Sequence, residues 1–335
     1  MMEAEELVLS EVHVTCCPPG QRAWTTTYRL PDTAITTQDV SVGQGAAAGV
    51  DSSSQLVDEE GDLIVRRRIS KGAGHCLVIH HQLATPLKTV GLQIWRGALL
   101  LADFVLSQPA LFRGVTALEL GAGAGLAGLV LATMARRVFL TDMGADVLEN
   151  CQANVEANCH LFQQGPAVAP VRALDWTQGW PPTNTASSSC TSAGGSSTGC
   201  SSSYDWTPRD LQELSGLQVL LGADTVYDND LTEAFVQTAR QLLLAGSAGG
   251  CQPVMYVALE KRFNFTLRDM DARAHAFEYF VRLVSSDSSR QQPAAGTEQV
   301  AGLSAERIQP ATIPQVLKYE RSEDLELWKI KLARD

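Results

Sequence analysis

VTALELGAGAGLAGLVLATMA, residues 115–135, passes from one apolar segment through a glycine-rich turn into another. VTALEL (115–120) is short and apolar almost throughout, as a strand buried on both faces is. LAGLVLATMA (126–135) is long enough for a buried helix and carries no charge. Strand, glycine turn and helix in that order make the anion-binding corner of an open α/β sheet.

The unit repeats downstream. RRVFLTD (136–142) reads as a strand, and ADVLENCQANVEAN (145–158) as a helix with Leu148, Cys151 and Val155 on one stripe. VRALDW (171–176), LQVLLGAD (217–224) and PVMYVALE (253–260) read as strands. LTEAFVQTARQLL (231–243) and DMDARAHAFEYFVRLV (269–284) read as helices. Upstream, IWRGALLLADFVLS (94–107) places Trp95, Leu99, Ala102 and Leu106 on one helical face. QVLKYE (315–320) and LELWKIKL (325–332) lie too close together for an intervening helix, so they are expected to form a hairpin. The predicted fold is α/β: a seven-stranded, Rossmann-like, mostly parallel sheet with helices on both faces and a C-terminal antiparallel hairpin.

Residues 1–85 are expected to form a small β-rich extension through LVLSEVHVT (7–15), LIVRRRI (63–69) and CLVIHH (76–81). His80 and His81 should face opposite sides of their strand. Residues 86–335 form the main domain. Low-complexity or polar segments near 31–62, 183–204 and 285–310 read as loops or insertions. The 335 residues are 45% hydrophobic, with a formal net charge of −11. That charge argues against nucleic acid or an anionic membrane as partner and leaves room for a basic protein. The acidic start MMEAEELVLS does not read as a signal peptide, and no apolar run reads as membrane-spanning. The eight cysteines and six histidines show no metal-ligand spacing, so no metal is expected. A monomer in the cytoplasm or nucleus is the resulting expectation.

The glycine turn alone fits two cofactors. Gly121 and Gly123 permit positive φ and close approach of a ligand. Gly123, Gly125 and Gly128 also satisfy the dinucleotide pattern G-x-G-x-x-G. Glu119 discriminates. A carboxylate about 6 Å from a pyrophosphate costs roughly 3 kcal/mol per charge pair at an effective dielectric of 20. Beside the ammonium and sulfonium of S-adenosylmethionine it is attractive instead. The plainer role for Glu119 is to cap nearby backbone N–H groups. Asp142, ending the second strand, is placed to accept from ribose hydroxyls of either cofactor, or to shape a turn with Gly144. Asp175 is placed to accept from an adenine amino group, and Trp176 to offer its backbone N–H to the ring. Trp95 reads either as packing or as an aromatic wall around a sulfonium.

QIWRGA (93–98), ELGAGAGLAG (119–128), LTD (140–142), ALDW (173–176), GADTVYDNDL (222–231) and LEKRFNFTLR (259–268) together resemble the seven-stranded, class I S-adenosylmethionine-dependent methyltransferases. Within them, the resemblance is to methyltransferase family 16 of protein-lysine methyltransferases, over about Val90 to Leu332. It implies S-adenosyl-L-methionine as cofactor and a lysine-bearing protein as substrate. It implies cofactor contacts at Trp95, Glu119, Gly121, Gly123, Asp142, Trp176 and Ala223. Asp224 and Tyr227 match the D-x-x-Y motif, which faces the reacting methyl and the substrate amine. Ala124 departs from the pattern, which often carries threonine there. A small-molecule methyltransferase, a cofactor-binding scaffold without turnover and a nicotinamide oxidoreductase are the competing readings. Asp228 or Asp230 should cap the helix that follows Tyr227. Glu260 is either part of the substrate side or a member of a surface ion pair.

Overall fold

The computed structural model describes residues 7–12, 23–31, 75–162, 165–185, 202–266, 270–285 and 302–333. All but the first residue of the expected loop near 31–62, the expected strand LIVRRRI and most of the serine tract lie outside them. Among the described residues, four strands come first: β1 (Leu7–Leu9), β2 (Ala23–Leu30), β3 (His75–Gln82) and β4 (Ala84–Pro86). β1 pairs with β4 and β2 with β3, both antiparallel. His81 is buried and His80 exposed, on opposite sides of β3 as expected.

The main domain follows: α1 (Arg96–Ser107), α2 (Pro109–Phe112), β5 (Thr116–Leu120), α3 (Leu126–Ala132), β6 (Arg137–Asp142), α4 (Ala145–Asn158) and β7 (Val171–Ala173). Then come α5 (Pro208–Leu214), β8 (Val219–Ala223), α6 (Asn229–Ala248), β9 (Val254–Glu260), β10 (Asn264–Thr266), β11 (Asp271–Arg273), α7 (His275–Val284), β12 (Leu303–Ile308) and β13 (Leu325–Leu332). The seven-stranded sheet has the order β12-β13-β9-β8-β5-β6-β7. From β9 to β7 all pairings are parallel; β13 is antiparallel to both its neighbours. β5 leads to β6 on one side while β8 lies on its other side, so the strand order reverses between β5 and β8. A ligand crevice forms at such a point, outside the C-terminal strand ends.

Each sheet face has its own core. Leu99, Val130, Leu148 and Leu221 pack on one face with Ala117 of β5. Leu214, Phe235 and Phe280 pack on the other with Leu118 and Leu120. Strand alternation therefore turns Glu119 toward the α1–α3 face. The first core also takes in Leu77 and Ile79 of β3 and Tyr28 and Leu30 of β2. α1 is buried nearly all round, Leu99 to Ala102 being fully covered, so its single-face reading was too narrow. Leu87–Ser107 does pass as membrane-spanning by length and composition, contrary to the sequence reading. Two thirds of its most apolar 18-residue stretch is buried inside the fold, and the 3₁₀ turn at Leu87–Leu92 is separate from α1, which marks it as a core segment.

The C-terminal hairpin differs from expectation. The partner of β13 is β12, inside the stretch 285–310 read as an insertion, and not 315–320. The amides of Val316 and Leu317 instead donate to Oδ1 of the buried Asp103 on α1, at 3.0 and 2.8 Å. Arg321 closes the same knot on Asp103 Oδ2 at 2.7 Å. The helix expected from residue 269 begins at His275, because Asp271–Arg273 pair with Asn264–Thr266 as a hairpin. α5 was not foreseen, although Thr207 and Asp210 form a reciprocal capping box at its start. Asp228 caps α6, accepting from Leu231 N at 3.0 Å.

Candidate functional site

The glycine turn after β5 is left-handed at three alternate residues: Gly121 (φ 70°), Gly123 (φ 53°) and Gly125 (φ 84°). Each needs glycine for a different neighbour. A Cβ on Gly123 would stand 2.7 Å from the carbonyl oxygen of Gly91, so its close approach is to the chain's own backbone. A Cβ on Gly121 would meet Thr225 Cγ2 at 2.9 Å and Trp176 Cζ2 at 3.1 Å, across the crevice. Gly128 lies against Leu140 and the Glu119 carboxylate. Helix–strand packing thus accounts for the last glycine of the dinucleotide-like pattern.

Glu119 is 1% exposed, and its Oε2 accepts from the Gly128 N–H in the first turn of α3 at 2.9 Å. The capping role is therefore occupied, and the carboxylate lies beneath the helix. Burial, opposed by the Gly128 N–H and assisted by the Asp142 charge, pushes its pKa up to about 8. The electrostatic attraction that the sequence suggested for Glu119 is correspondingly weaker at neutral pH. Asp142 is half-buried at the end of β6. Its Oδ2 accepts from Gly123 N and its Oδ1 from Met143 N, each at 2.7 Å. Burial raises its pKa, and these two bonds oppose the rise.

Asp175 caps the short turn Trp176–Gln178, accepting from Thr177 N at 2.9 Å and Thr177 Oγ1 at 2.7 Å. The Trp176 ring leans over Gly121 and meets Phe235 edge-on at 5.3 Å. Its Nε1 and the Thr225 Oγ1 are buried without a hydrogen-bond partner among the described residues. Both flank the same glycine, and both are donors. Buried donors of this kind call for an acceptor. A ligand at this turn would lie beside Trp176 and beside Thr225, two residues past β8, and would find the remaining acceptor capacity of Asp142.

The other half of the site gathers on Asp224. It follows β8 with a left-handed backbone (φ 49°), which aspartate tolerates better than most residues. Its Oδ2 accepts from Gly97 N in the first turn of α1 at 2.6 Å, and its Oδ1 from Glu260 N at 2.8 Å. Its own N–H donates to Ala258 O at 2.9 Å. One carboxylate thereby joins α1, β8 and β9. Burial lifts its pKa to about 6, against the Arg262 charge and the two N–H donors. Arg262 also covers one face of Trp95, 4.7 Å from the ring centroid, while Trp95 Nε1 donates to Val90 O at 3.0 Å. Trp95 is thus held by Val90 at its ring nitrogen and by a guanidinium on one of its two faces.

Beyond Asp224 opens a cavity of about 330 Å³, lined by Tyr227, Asp228, Glu260, Arg262, Asn264 and His275 among others. Tyr227 is 43% exposed at its mouth. Glu260 lines the cavity and pairs with Arg96 at 2.9 Å; it is buried, so the pair is not the surface one that the sequence suggested. The sequence reading did not single out Thr225, Arg96 or His275, and it left Arg262 without a role. Arg262 stood in a quoted motif, but nothing local reveals which ring it stacks on. Ala223, at the end of β8, is half-buried beside this junction.

Residues 73–189 match the protein family described as lysine methyltransferase. Methyltransferase-like protein 22 of Homo sapiens is 39% identical over 279 residues, covering 82% of this chain and 62% of that protein. The Mus musculus protein of the same name is 40% identical over 278 residues, covering 82% and 64%. Protein-lysine N-methyltransferase EEF2KMT of Mus musculus is 31% identical over 191 residues, covering 55% of this chain and 46% of that one. The chain spans less than two thirds of the length of these curated relatives.

Proposed function

We propose that the crevice between β5 and β8 binds S-adenosyl-L-methionine and that the cavity behind Tyr227 receives a lysine of a protein substrate, as the match of residues 73–189 to the lysine methyltransferase family supports. The observation that carries this reading is the junction at Asp224. On one side of it stands the glycine turn, with the unpartnered donors of Trp176 and Thr225. On the other stands the cavity lined by Tyr227 and Glu260. The relatives named as protein-lysine N-methyltransferases support a protein lysine over a small molecule. The net charge of −11 supports a basic segment around that lysine.

Gly121, Gly123, Asp142, Asp175, Trp176 and Ala223 would hold the cofactor, with Asp142 toward the ribose hydroxyls. Trp95 and Glu119 would act from behind them. Bound there, the cofactor supplies a methyl group on a sulfonium already activated for displacement. The work left to the protein is alignment, exclusion of water and management of one proton. Lysine has a reference pKa of about 10.4, so presenting it neutral at pH 7 costs about 4.6 kcal/mol. Asp224, ionised at pH 7 with a pKa of about 6, attracts and orients the amine but favours its ammonium form. Arg262, lining the same cavity, disfavours a second cation and pushes toward the free amine. Tyr227 narrows the mouth, and the proton leaves to solvent at its exposed edge.

The test is incubation of the purified protein with methyl-labelled S-adenosylmethionine and a cell lysate, followed by mass spectrometry. Label on lysine of a protein band is expected. Label confined to small metabolites would overturn the proposal.

A further inference from the structure

α4 carries asparagines at four-residue spacing, Asn150, Asn154 and Asn158, on one face. Asn154 and Asn158 are fully buried. Asn158 accepts from Val78 N at 2.8 Å and donates to Val78 O at 2.6 Å. Asn154 does the same two residues along β3, accepting from His80 N at 2.7 Å and donating to His80 O at 2.9 Å. Four residues of helix rise about 6 Å and two residues of strand about 6.7 Å, so the two side-chain amides fall in register with alternate strand residues. They serve β3 as a surrogate neighbouring strand on the edge away from β2.

The two asparagines differ in their second amide hydrogen. Asn158 gives it to Asn154 O, within α4, at 2.7 Å. Asn154 gives it to Ala124 O, inside the glycine turn, at 2.9 Å. We propose that Asn154 is a positioning residue that holds the turn 121–125 in its ligand-binding form and makes that form depend on the docking of β3. The step from turn geometry to cofactor affinity rests on the function proposed above; the strap itself does not. It gives β3 a route into the crevice, separate from the ion pairs that Glu11, just after β1, makes with Arg96 and Arg262. Ala124 then matters through its carbonyl, and a small side chain suffices there.

Asn154→Leu and Asn158→Leu separate the strap from strand docking, since each loses two bonds to β3 and only the first loses Ala124. Hydrogen exchange of the unliganded full chain reads the turn directly. Amides of residues 121–128 should exchange about tenfold faster in N154L, and within threefold of the starting protein in N158L, while β3 amides speed up in both. S-adenosylhomocysteine affinity, measured by calorimetry, should fall about tenfold in N154L alone. Should N154L fail to fold, Asn154→Asp has the same shape and keeps the acceptor for His80 N while losing the donations to His80 O and Ala124 O. Equal exchange in the turn for the two variants, or none accelerated, overturns the proposal. Faster turn exchange with no binding of the probe by the starting protein leaves the strap standing and defeats the cofactor reading.

Discussion

Replacing Asp224 by alanine removes more than a group facing the substrate. Its carboxylate accepts from Gly97 N at 2.6 Å and from Glu260 N at 2.8 Å. The Gly97 N–H belongs to the first turn of α1, where the helix supplies no partner of its own. A hydrogen bond to a charged group is worth about 1.5–3 kcal/mol, so the two together stabilise the fold by about 3–6 kcal/mol. The left-handed backbone at φ 49° adds a further cost for alanine, of about 1 kcal/mol. In a domain of 150–250 residues each kcal/mol moves the melting temperature by about 2–4 °C. Together these come to about 4–7 kcal/mol, so the expected loss in Asp224→Ala is roughly 8–28 °C. Asp224→Asn keeps one acceptor oxygen and should lose about half as much. Methyl transfer should disappear in both, whereas S-adenosylhomocysteine affinity in D224N should fall far less, because neither bond reaches the glycine turn. The assays are thermal unfolding, calorimetry and transfer of labelled methyl. A D224A melting temperature within about 2 °C of the starting protein would refute the joint between α1, β8 and β9. Undiminished transfer by D224N would remove Asp224 from the reacting centre.

Glu119, with its folded pKa pushed up to about 8 against about 4.3 when unfolded, retains a proton that the unfolded chain has lost across that window. Its contribution makes stability fall as pH rises from about 4.3 to 8, by up to about 1.4 kcal/mol per pH unit. Glu119→Gln should remove that slope, which urea titrations at pH 5, 6, 7 and 8 will show; parallel curves for the two proteins would contradict it. Gly121→Val would place its Cβ 2.9 Å from Thr225 Cγ2 and 3.1 Å from Trp176, at φ 70°. Cofactor binding should be lost in calorimetry, and unchanged affinity would rule out the turn as the site. Arg262 holds the Asp224 pKa below where burial alone would put it. Arg262→Gln should move the acid limb of the pH profile of kcat/KM upward, and an unmoved limb would separate Arg262 from the reaction.

The central strands were legible because burial on both faces leaves a continuous apolar run. β5 shows this: all five of its residues are buried. The C-terminal edge was not legible, for the opposite reason. β12 has only Leu303 buried among six residues, since an edge strand pairs on one side and faces solvent widely. LSAERI therefore reads as a polar insertion, while QVLKYE reads as the better strand. What disqualifies QVLKYE is Asp103, more than two hundred residues away in the chain, which takes the amides a strand would need. The candidate site divides along the same line. Glycines, strand-end carboxylates and D-x-x-Y are local patterns. The Arg262–Trp95 stack, the orphaned donors beside Gly121 and the reach of Asn154 to Ala124 exist only in three dimensions.

At the crevice parallel strands stop and helices start, and both kinds of end leave backbone N–H groups without partners. Here side chains from neighbouring elements fill that need: Glu119 on Gly128, Asp142 on Gly123, Asp224 on Gly97 and Glu260. These are the same residues that motif spacing assigns to ligand contact. The coincidence is physical, since a carboxylate at a strand end can serve a backbone donor with one lone pair and a ligand with another. Loss of activity on mutating any of them therefore fails to distinguish a strut from a contact. The separating quantity is the change in ligand affinity set against the change in stability. A pure strut moves the melting temperature first and affinity only as the fold loosens. A pure contact moves affinity with little change in melting. By its bonds, Glu119 should fall nearest the strut end. Asp142 should fall nearer the contact end, because it is half-buried and not sealed beneath a helix.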